Sequence, residues 1–153
     1  MALVHVASLS DSRLDDYRNV PDPELLRARG LFVAEGRHVV RRLLTALRFR
    51  TRSILLTPTA EKSLSDLLVR FDDIPAFVVS PETMNGVTGF NIHRGCLAVG
   101  ERPALQPWPS LTRDARLVVV LEQVSDADNV GAIFRNAAAF GADAALLGPS
   151  CAD

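Results

Sequence analysis

Short apolar runs alternate with amphipathic segments along most of the chain, and this alternation constrains the fold more than any other feature. Strands are predicted at 31–35, 53–57, 76–80 and 96–101, and helices at 22–30 (with Asp22 as N-cap), 36–48, 59–71 and 81–87. Strands that alternate with helices are typical of a parallel or mixed sheet sandwiched by helices. The first hundred residues are therefore predicted to form an α/β/α domain.

Three prolines interrupt this alternation. Pro103, Pro107 and Pro109 predict an irregular linker over 103–115, because proline removes a backbone donor and disrupts helices and strands. We therefore expect one domain over 1–102 and the start of a second domain at residue 116.

The pattern of a strand, a helix and a second strand resumes after the linker. A strand is predicted at 116–122, a helix at 129–140 and a strand at 143–148, which together form one βαβ unit. The sheet-facing side of the helix is predicted to carry Val130, Ile133, Phe134, Ala137 and Ala138. One βαβ unit cannot cover both faces of its strands, so 116–153 is expected to be the truncated opening of a second α/β domain that exposes apolar surface. Residues 116–150 are expected either to self-associate or to be loosely ordered.

Positive charge is concentrated in one part of a chain whose net charge is only −1. Residues 25–56 contain eight arginines against the single Glu35, a local balance of 8 − 1 = +7. The helix predicted at 36–48 has an apolar arc that is expected to be buried, formed by Val39, Val40, Leu43, Leu44 and Leu47. Basic side chains fill the opposite arc, which predicts contact with RNA phosphates through Arg37, His38, Arg41, Arg42 and Arg48. The alternative is a solvated surface balanced by acids elsewhere. For His93 and Arg94 the sequence supports RNA contact and turn formation equally.

Several classes of protein and site are disfavoured. The longest apolar run, 117–121, is far shorter than the roughly 20 residues of a membrane span, so a soluble cytoplasmic protein without membrane contact is expected. Cys96 and Cys151 lack the spacing of metal or redox sites and are expected to be free. The loop "SDADNVG" lacks the glycines of a dinucleotide cradle, and Asp126 and Asp128 suit an N-cap better than a metal site.

One arginine stands on the last predicted helix among small residues. Arg135 lies on the side away from the sheet, beside Gly131, Ala132 and Ala139. Small neighbours permit close approach by another chain or a ligand, and ligands in open α/β sheets bind at the carboxyl ends of the strands, where this helix begins. The other interpretation is a solvent-facing arginine on an ordinary crossover helix.

The last helix and its flanks resemble a known family. "DADNVGAIFRNAAAFGADAALL" is similar to the Asn-x-Gly-x-x-x-Arg motif of the SpoU (TrmH-like) RNA ribose methyltransferases of the SPOUT superfamily, and "LFVAEGRHVVRRLL" and "GFNIHRGCLAVGE" resemble that family's N-terminal RNA-binding domain, which is of the ribosomal-protein type. The resemblance implies that Arg135 engages the ribose 2′-hydroxyl across a homodimer interface. It further implies that Asn129 supports an active-site loop that includes Asp126 and Gly131.

The resemblance also implies S-adenosylmethionine as cofactor and no metal, with the cofactor held by knot motifs that lie beyond residue 153 in the family. We therefore expect a fragment, a truncated gene product or a binding domain with a vestigial tail. Ala127 stands where the family often has proline, which is expected to alter loop stiffness. The predicted function is S-adenosylmethionine-dependent 2′-O-methylation of rRNA or tRNA; the alternative is a non-catalytic RNA-binding module of the ribosomal-protein type.

Overall fold

A computed structural model of the protein describes residues 3–18, 20, 23–46, 48–92, 94–104 and 106–152. The chain forms two compact units, 1–103 and 104–153. Each unit has its own hydrophobic core. Within the described part of the chain, no helix has the length and apolar character needed to cross a membrane.

Five strands form one mixed sheet in the first unit. They are β1 (Leu3–His5), β2 (Leu31–Glu35), β3 (Thr51–Leu56), β4 (Ala76–Val78) and β5 (Cys96–Glu101). They lie in the order β1-β4-β3-β5-β2. β1, β4 and β3 are parallel, whereas β5 runs antiparallel to both of its neighbours, β3 and β2. The prediction of a parallel or mixed sheet is confirmed, and β1 is an additional strand that the sequence pattern does not predict.

Helices lie on both faces of this sheet. They are a 3₁₀ helix (Ser12–Tyr17), α1 (Pro23–Ala28), α2 (Arg37–Thr45), α3 (Pro58–Ser63), α4 (Ser65–Arg70) and α5 (Pro81–Thr88). Alternate side chains of a strand point to opposite faces. On β3, Leu55 therefore joins the core formed with the 3₁₀ helix, α1 and α5, while Ile54 and Leu56 join the core formed with α2, α3 and α4. The first unit is a mixed α/β fold with helices on each side of the sheet.

α2 is shorter than the helix predicted over 36–48. It ends at Thr45, so Arg48 lies beyond the helix and does not belong to its basic face, contrary to the prediction. Val39, predicted on the buried face, is 50% exposed. The buried side of α2 is formed by Val40, Leu43 and Leu44. The remaining predictions that involve Asp22, Leu47 and His93 fall outside the described residues.

The helix predicted at 59–71 is two helices. α3 and α4 meet at Leu64, whose backbone dihedrals, φ −116° and ψ 12°, interrupt the helical path. Leu64 is buried together with Leu67 and Leu68. The apolar side chains on both sides of the break therefore still pack against the sheet. For this reason the spacing of apolar residues in the sequence does not reveal the break.

The second unit contains the βαβ arrangement that the sequence predicts. β6 (Val118–Leu121) pairs in parallel with β7 (Ala144–Leu147), and α7 (Ala127–Ala139) connects them. Its core is small, with Leu121, Val130 and Cys151 buried. Phe134, predicted on the packed face of α7, is 39% exposed, and Val120 on β6 is 66% exposed. The expected exposure of apolar surface is confirmed; self-association through it stays a prediction.

The proline-rich segment is not wholly irregular, contrary to the prediction. α6 (Trp108–Thr112) begins directly after Pro107 and contains Pro109 in its first turn. Proline is tolerated there because the backbone N–H that it lacks has no intrahelical acceptor in the first turn. Ser110 Oγ also donates a hydrogen bond to the Pro107 carbonyl at 2.7 Å.

Candidate functional site

The start of α7 is fixed by an aspartate. The Asp126 side chain accepts a hydrogen bond from the Asn129 backbone N–H at 2.8 Å and so caps the helix. This agrees with the N-cap role that the sequence suggests for the loop acids. The helix begins at Ala127 and not at Asn129, so Asn129 lies within the first turn with an exposed side chain. Asp126 and Asn129 therefore stand together at the end of α7 that follows β6.

The Arg135 side chain runs back along α7 over Gly131. A Cβ atom added to Gly131 would lie 3.4 Å from Arg135 Nη1. Long side chains on helices point toward the preceding turn, and a residue four positions earlier is the neighbour they meet there. Arg135 is exposed and makes no hydrogen bond or ion pair with any part of the chain that the structure describes. Its guanidinium is available to a ligand or to another chain.

Two loops at the carboxyl ends of β6 and β7 are joined through a cysteine. The Cys151 thiol donates a hydrogen bond to the Leu121 carbonyl at 3.3 Å and accepts one from the Val124 backbone N–H at 3.4 Å. Gln123, which lies between Leu121 and Val124, adopts a positive φ of 58°, a left-handed conformation that is uncommon for a residue other than glycine. Cys151 is free, as predicted, but it organises the loop that leads to α7.

Glu122 is a second residue of this loop that sequence reasoning overlooks. Its Oε2 atom lies 3.0 Å from the position that a Cβ atom of Gly148 would occupy, so its carboxylate lies against the segment after β7. The signal that points to it is position, because the carboxyl ends of neighbouring parallel strands form the ligand-binding edge of α/β sheets. Among the described residues, no group of three or more His, Cys, Asp or Glu side chains could hold a metal ion.

The basic residues of α2 differ in their partners. Arg37, His38 and Arg42 are exposed. Arg41 instead forms a bidentate ion pair with Asp66 of α4, with nitrogen–oxygen distances of 2.7 and 3.1 Å. The hydrogen bond from Arg41 lowers the pKa of the Asp66 carboxyl and raises that of the guanidinium. Arg41 therefore already binds an anionic group, as the balanced-surface alternative expects.

Two other arginines of the positive segment also lie beside acids. Arg52 contacts Asp16 at 2.8 Å, and Arg50 contacts Glu101 at 3.5 Å. These acids are distant in sequence, so the balance of +7 over residues 25–56 overstates the local charge on the folded surface. Arg48 lies over the ring of Phe49, with its Cζ atom 5.6 Å from the ring centroid.

Arg94 joins the basic surface through the fold. A Cβ atom on Gly36, the N-cap of α2, would lie 3.0 Å from Arg94 Cδ and 3.4 Å from its Nη1 atom. The exposed Arg94 side chain therefore crosses the start of α2, next to Arg37. Of the five residues predicted to bind RNA, Arg37, His38 and Arg42 share the exposed surface of α2, Arg41 is held by Asp66, and Arg48 lies beyond the helix.

Known proteins resemble the chain in both sequence and fold. Residues 116–153 match the model of the SpoU rRNA Methylase family. Uncharacterized tRNA/rRNA methyltransferases of Mycobacterium tuberculosis and Mycobacterium bovis are each 38% identical over 152 residues, which is 97% of this chain and 52% of each relative. The chain thus spans about half the length of these relatives.

Solved structures share the fold at lower identity. An AdoMet-bound rRNA methyltransferase from Sinorhizobium meliloti has a TM-score of 0.74 at 19% identity, over 100% of this chain and 57% of that one. The SpoU methyltransferase AviRb from Streptomyces viridochromogenes in complex with AdoMet has a TM-score of 0.72 at 20% identity, over 94% of this chain and 55% of that one. The residues that match the SpoU rRNA Methylase family, 116–153, contain the motif formed by Asn129, Gly131 and Arg135.

Proposed function

We propose that this chain is the RNA-binding and hydroxyl-orienting part of an S-adenosylmethionine-dependent RNA 2′-O-ribose methyltransferase that acts on rRNA or tRNA. The names of its relatives support RNA methyl transfer, and AdoMet is bound in two of its structural neighbours. The chain spans about half of each relative. We therefore propose the activity, the substrate and the cofactor for a whole methyltransferase and not for these 153 residues alone.

The single observation that carries this proposal is the free guanidinium of Arg135. It lies along α7 over Gly131 and makes no hydrogen bond or ion pair with the described residues of the chain. A guanidinium does not lose its proton in proteins, so it acts as a donor and not as a base. Its role is to orient the ribose 2′-hydroxyl and to stabilise the negative charge that develops on the oxygen.

The residues around Arg135 support its position. Asp126 caps α7 and holds the Asn129 backbone in the first turn, while Gly131 leaves open the surface that Arg135 crosses. S-adenosylmethionine, when bound, supplies the methyl group; no residue of this chain is assigned to hold it. We also propose that the protein is a homodimer in which Arg135 serves the partner's site, because its neighbours Gly131, Ala132 and Ala139 permit close approach.

In the first unit, we propose an RNA-binding domain of the ribosomal-protein type. Its support is the exposed Arg37, His38 and Arg42 on α2, with Arg94 across the start of that helix. Exposed arginines favour phosphate contact because the guanidinium fork matches the geometry of phosphate oxygens. The same surface would serve a non-catalytic RNA-binding module, and this remains the second candidate function.

A chimeric protein separates the two candidates. The chain is joined to the part of the Mycobacterium tuberculosis relative that it does not cover, and methyl transfer from labelled S-adenosylmethionine to RNA is measured. Arg135→Ala should lower turnover by roughly 10²-fold or more, the scale for loss of one preorganised donor. Arg113→Ala, an exposed arginine outside the motif, is the matched control and should leave turnover unchanged.

Two results would contradict the catalytic proposal. Equal turnover of the Arg135→Ala variant and the unaltered chimera would return Arg135 to an ordinary surface role. Saturable S-adenosylmethionine binding to the 153-residue chain alone, measured by calorimetric titration, would show that residues of this chain hold the cofactor, contrary to the proposed division of roles.

A further inference from the structure

An aromatic and basic cleft lies on the first unit, where α2 ends, β3 begins and α4 leads into β4. Its volume is about 350 Å³. This is at the lower end of the roughly 300–1,000 Å³ that small-molecule sites occupy. The lining residues that matter here are Phe49, Phe71, Arg50, Arg52, Thr51 and Asp73. No residue of this cleft takes part in the proposed methyl-transfer site on α7.

Two arginine–phenylalanine pairs border this Phe49–Phe71 cleft. The Arg48 Cζ atom lies 5.6 Å from the Phe49 ring centroid, and the Arg70 Cζ atom lies 5.3 Å from the Phe71 ring centroid. Both rings are half-buried, whereas both arginines are exposed. Aromatic rings and guanidinium planes are the two kinds of surface on which unpaired bases of RNA stack.

The charges around the cleft fit a nucleotide. Arg48 and Arg70 form no ion pair with any described residue, so their guanidinium groups are available to phosphate. Arg50 lies 3.5 Å from Glu101, but its side chain is 79% exposed. An exposed ion pair of this kind contributes little to stability, so Glu101 does not hold Arg50 firmly. The lining also contains one carboxylate, that of Asp73, which is an acceptor for the N–H groups on a base edge.

The cleft also lies on the path of the basic helix. α2 carries the exposed Arg37 near its start and Arg42 near its end, and Leu44 of the same helix lines the cleft. From residue 37 to residue 44 the helix rises by about 10 Å. An RNA strand whose phosphates lie along α2 would therefore reach the two arginine–phenylalanine pairs.

We propose that the Phe49–Phe71 cleft binds one unpaired nucleobase of the RNA substrate, with Arg48 and Arg70 contacting the flanking phosphates. This rests on the proposed function, in which the first unit binds RNA. The two rings also pack against the core, so phenylalanine at these positions has a structural role as well. The test must therefore separate stacking from folding.

The experiment uses the full chain and RNA hairpins whose unpaired loop carries 2-aminopurine at each loop position in turn. Stacking in the cleft should change the fluorescence at one position. Phe71→Leu keeps an apolar side chain but removes the aromatic face, and it should weaken binding by roughly tenfold or more, the scale for loss of one stacked base. Arg70→Gln tests the flanking contact without altering the core, and Arg113→Gln is its charge-matched control.

An abasic hairpin at the responsive position completes the test. The unaltered protein and Phe71→Leu should bind it with equal affinity, because a missing base leaves nothing for Phe71 to stack on. An equal loss by Phe71→Leu on abasic and base-containing RNA would overturn the inference, as would affinities that do not depend on Phe71 or Arg70. Failure of the unaltered chain to bind any structured RNA would instead overturn the RNA-binding role of the first unit, and this inference with it.

Discussion

Replacement of Gly131 by alanine should stabilise the protein and impair its function. Gly131 is the fifth residue of α7, and its backbone is helical. An alanine Cβ there would meet only Arg135 Nη1, at an ordinary contact distance of 3.4 Å. Glycine in a helix interior costs roughly 0.5–1 kcal/mol relative to alanine. The fold thus gains from Gly131→Ala and gives no reason for glycine at this position.

The expected gain of about 0.5–1 kcal/mol corresponds to a rise in Tm of roughly 1–4 °C for a chain of this size. Thermal unfolding followed by circular dichroism measures it. Ala132→Gly, next along the same helix, should lose a similar amount, and the double variant should return close to the original stability. Agreement among these three variants would show that helix propensity alone sets the change.

In the chimeric methyltransferase, Gly131→Ala should lower turnover, because the added methyl group would occupy the surface along which we propose that Arg135 meets the ribose or the partner chain. A drop in Tm would refute the argument by showing that the fold itself requires glycine here. A raised Tm with undiminished turnover would refute the functional half, since Gly131 would then be dispensable for both.

Three further predictions concern the first unit. Arg37→Gln with Arg42→Gln should reduce the slope of log affinity for RNA against log salt concentration by about 0.7–0.9 for each RNA phosphate that these arginines neutralise, measured by fluorescence anisotropy; an unchanged slope would exclude phosphate binding by this face. Gly95→Ala should destabilise the protein by roughly 1–3 kcal/mol, measured by urea unfolding, because Gly95 has φ +58° and an added Cβ would lie 2.4 Å from Thr57 Oγ1. Unchanged stability would mean that the loop relaxes freely. Burial raises the pKa of the Cys96 thiol from 9.0 to about 12, so the folded state retains this proton to a higher pH than the unfolded state does. The thiol's contribution to stability should therefore be lost as pH rises from about 9 toward 12. Cys96→Ala should lose less stability than the unaltered protein over this pH range, and equal losses would contradict the assignment.

Local sequence determined most of the elements and one part of the candidate site. Hydrophobic periodicity predicted β2 and β5 with their observed limits and placed β6, α7 and β7 within a few residues. Gly131 and Arg135 are four residues apart, so helix geometry alone brings them together. Asp126 caps α7 through a hydrogen bond with Asn129, three residues away. Features of this kind can be predicted because both partners lie within one or two turns of the same element.

The tertiary structure decided which charges are free and which residues share a cleft. Arg41 is held by Asp66, 25 residues along the chain, and Arg52 is paired with Asp16, so the basic run in the sequence is partly neutralised in space. Phe49 and Phe71 belong to different segments and line one cleft only because α2, β3 and α4 pack in one corner. Coulomb attraction and stacking depend on distance in space, and periodicity along one element carries no information about which separate elements the sheet brings side by side.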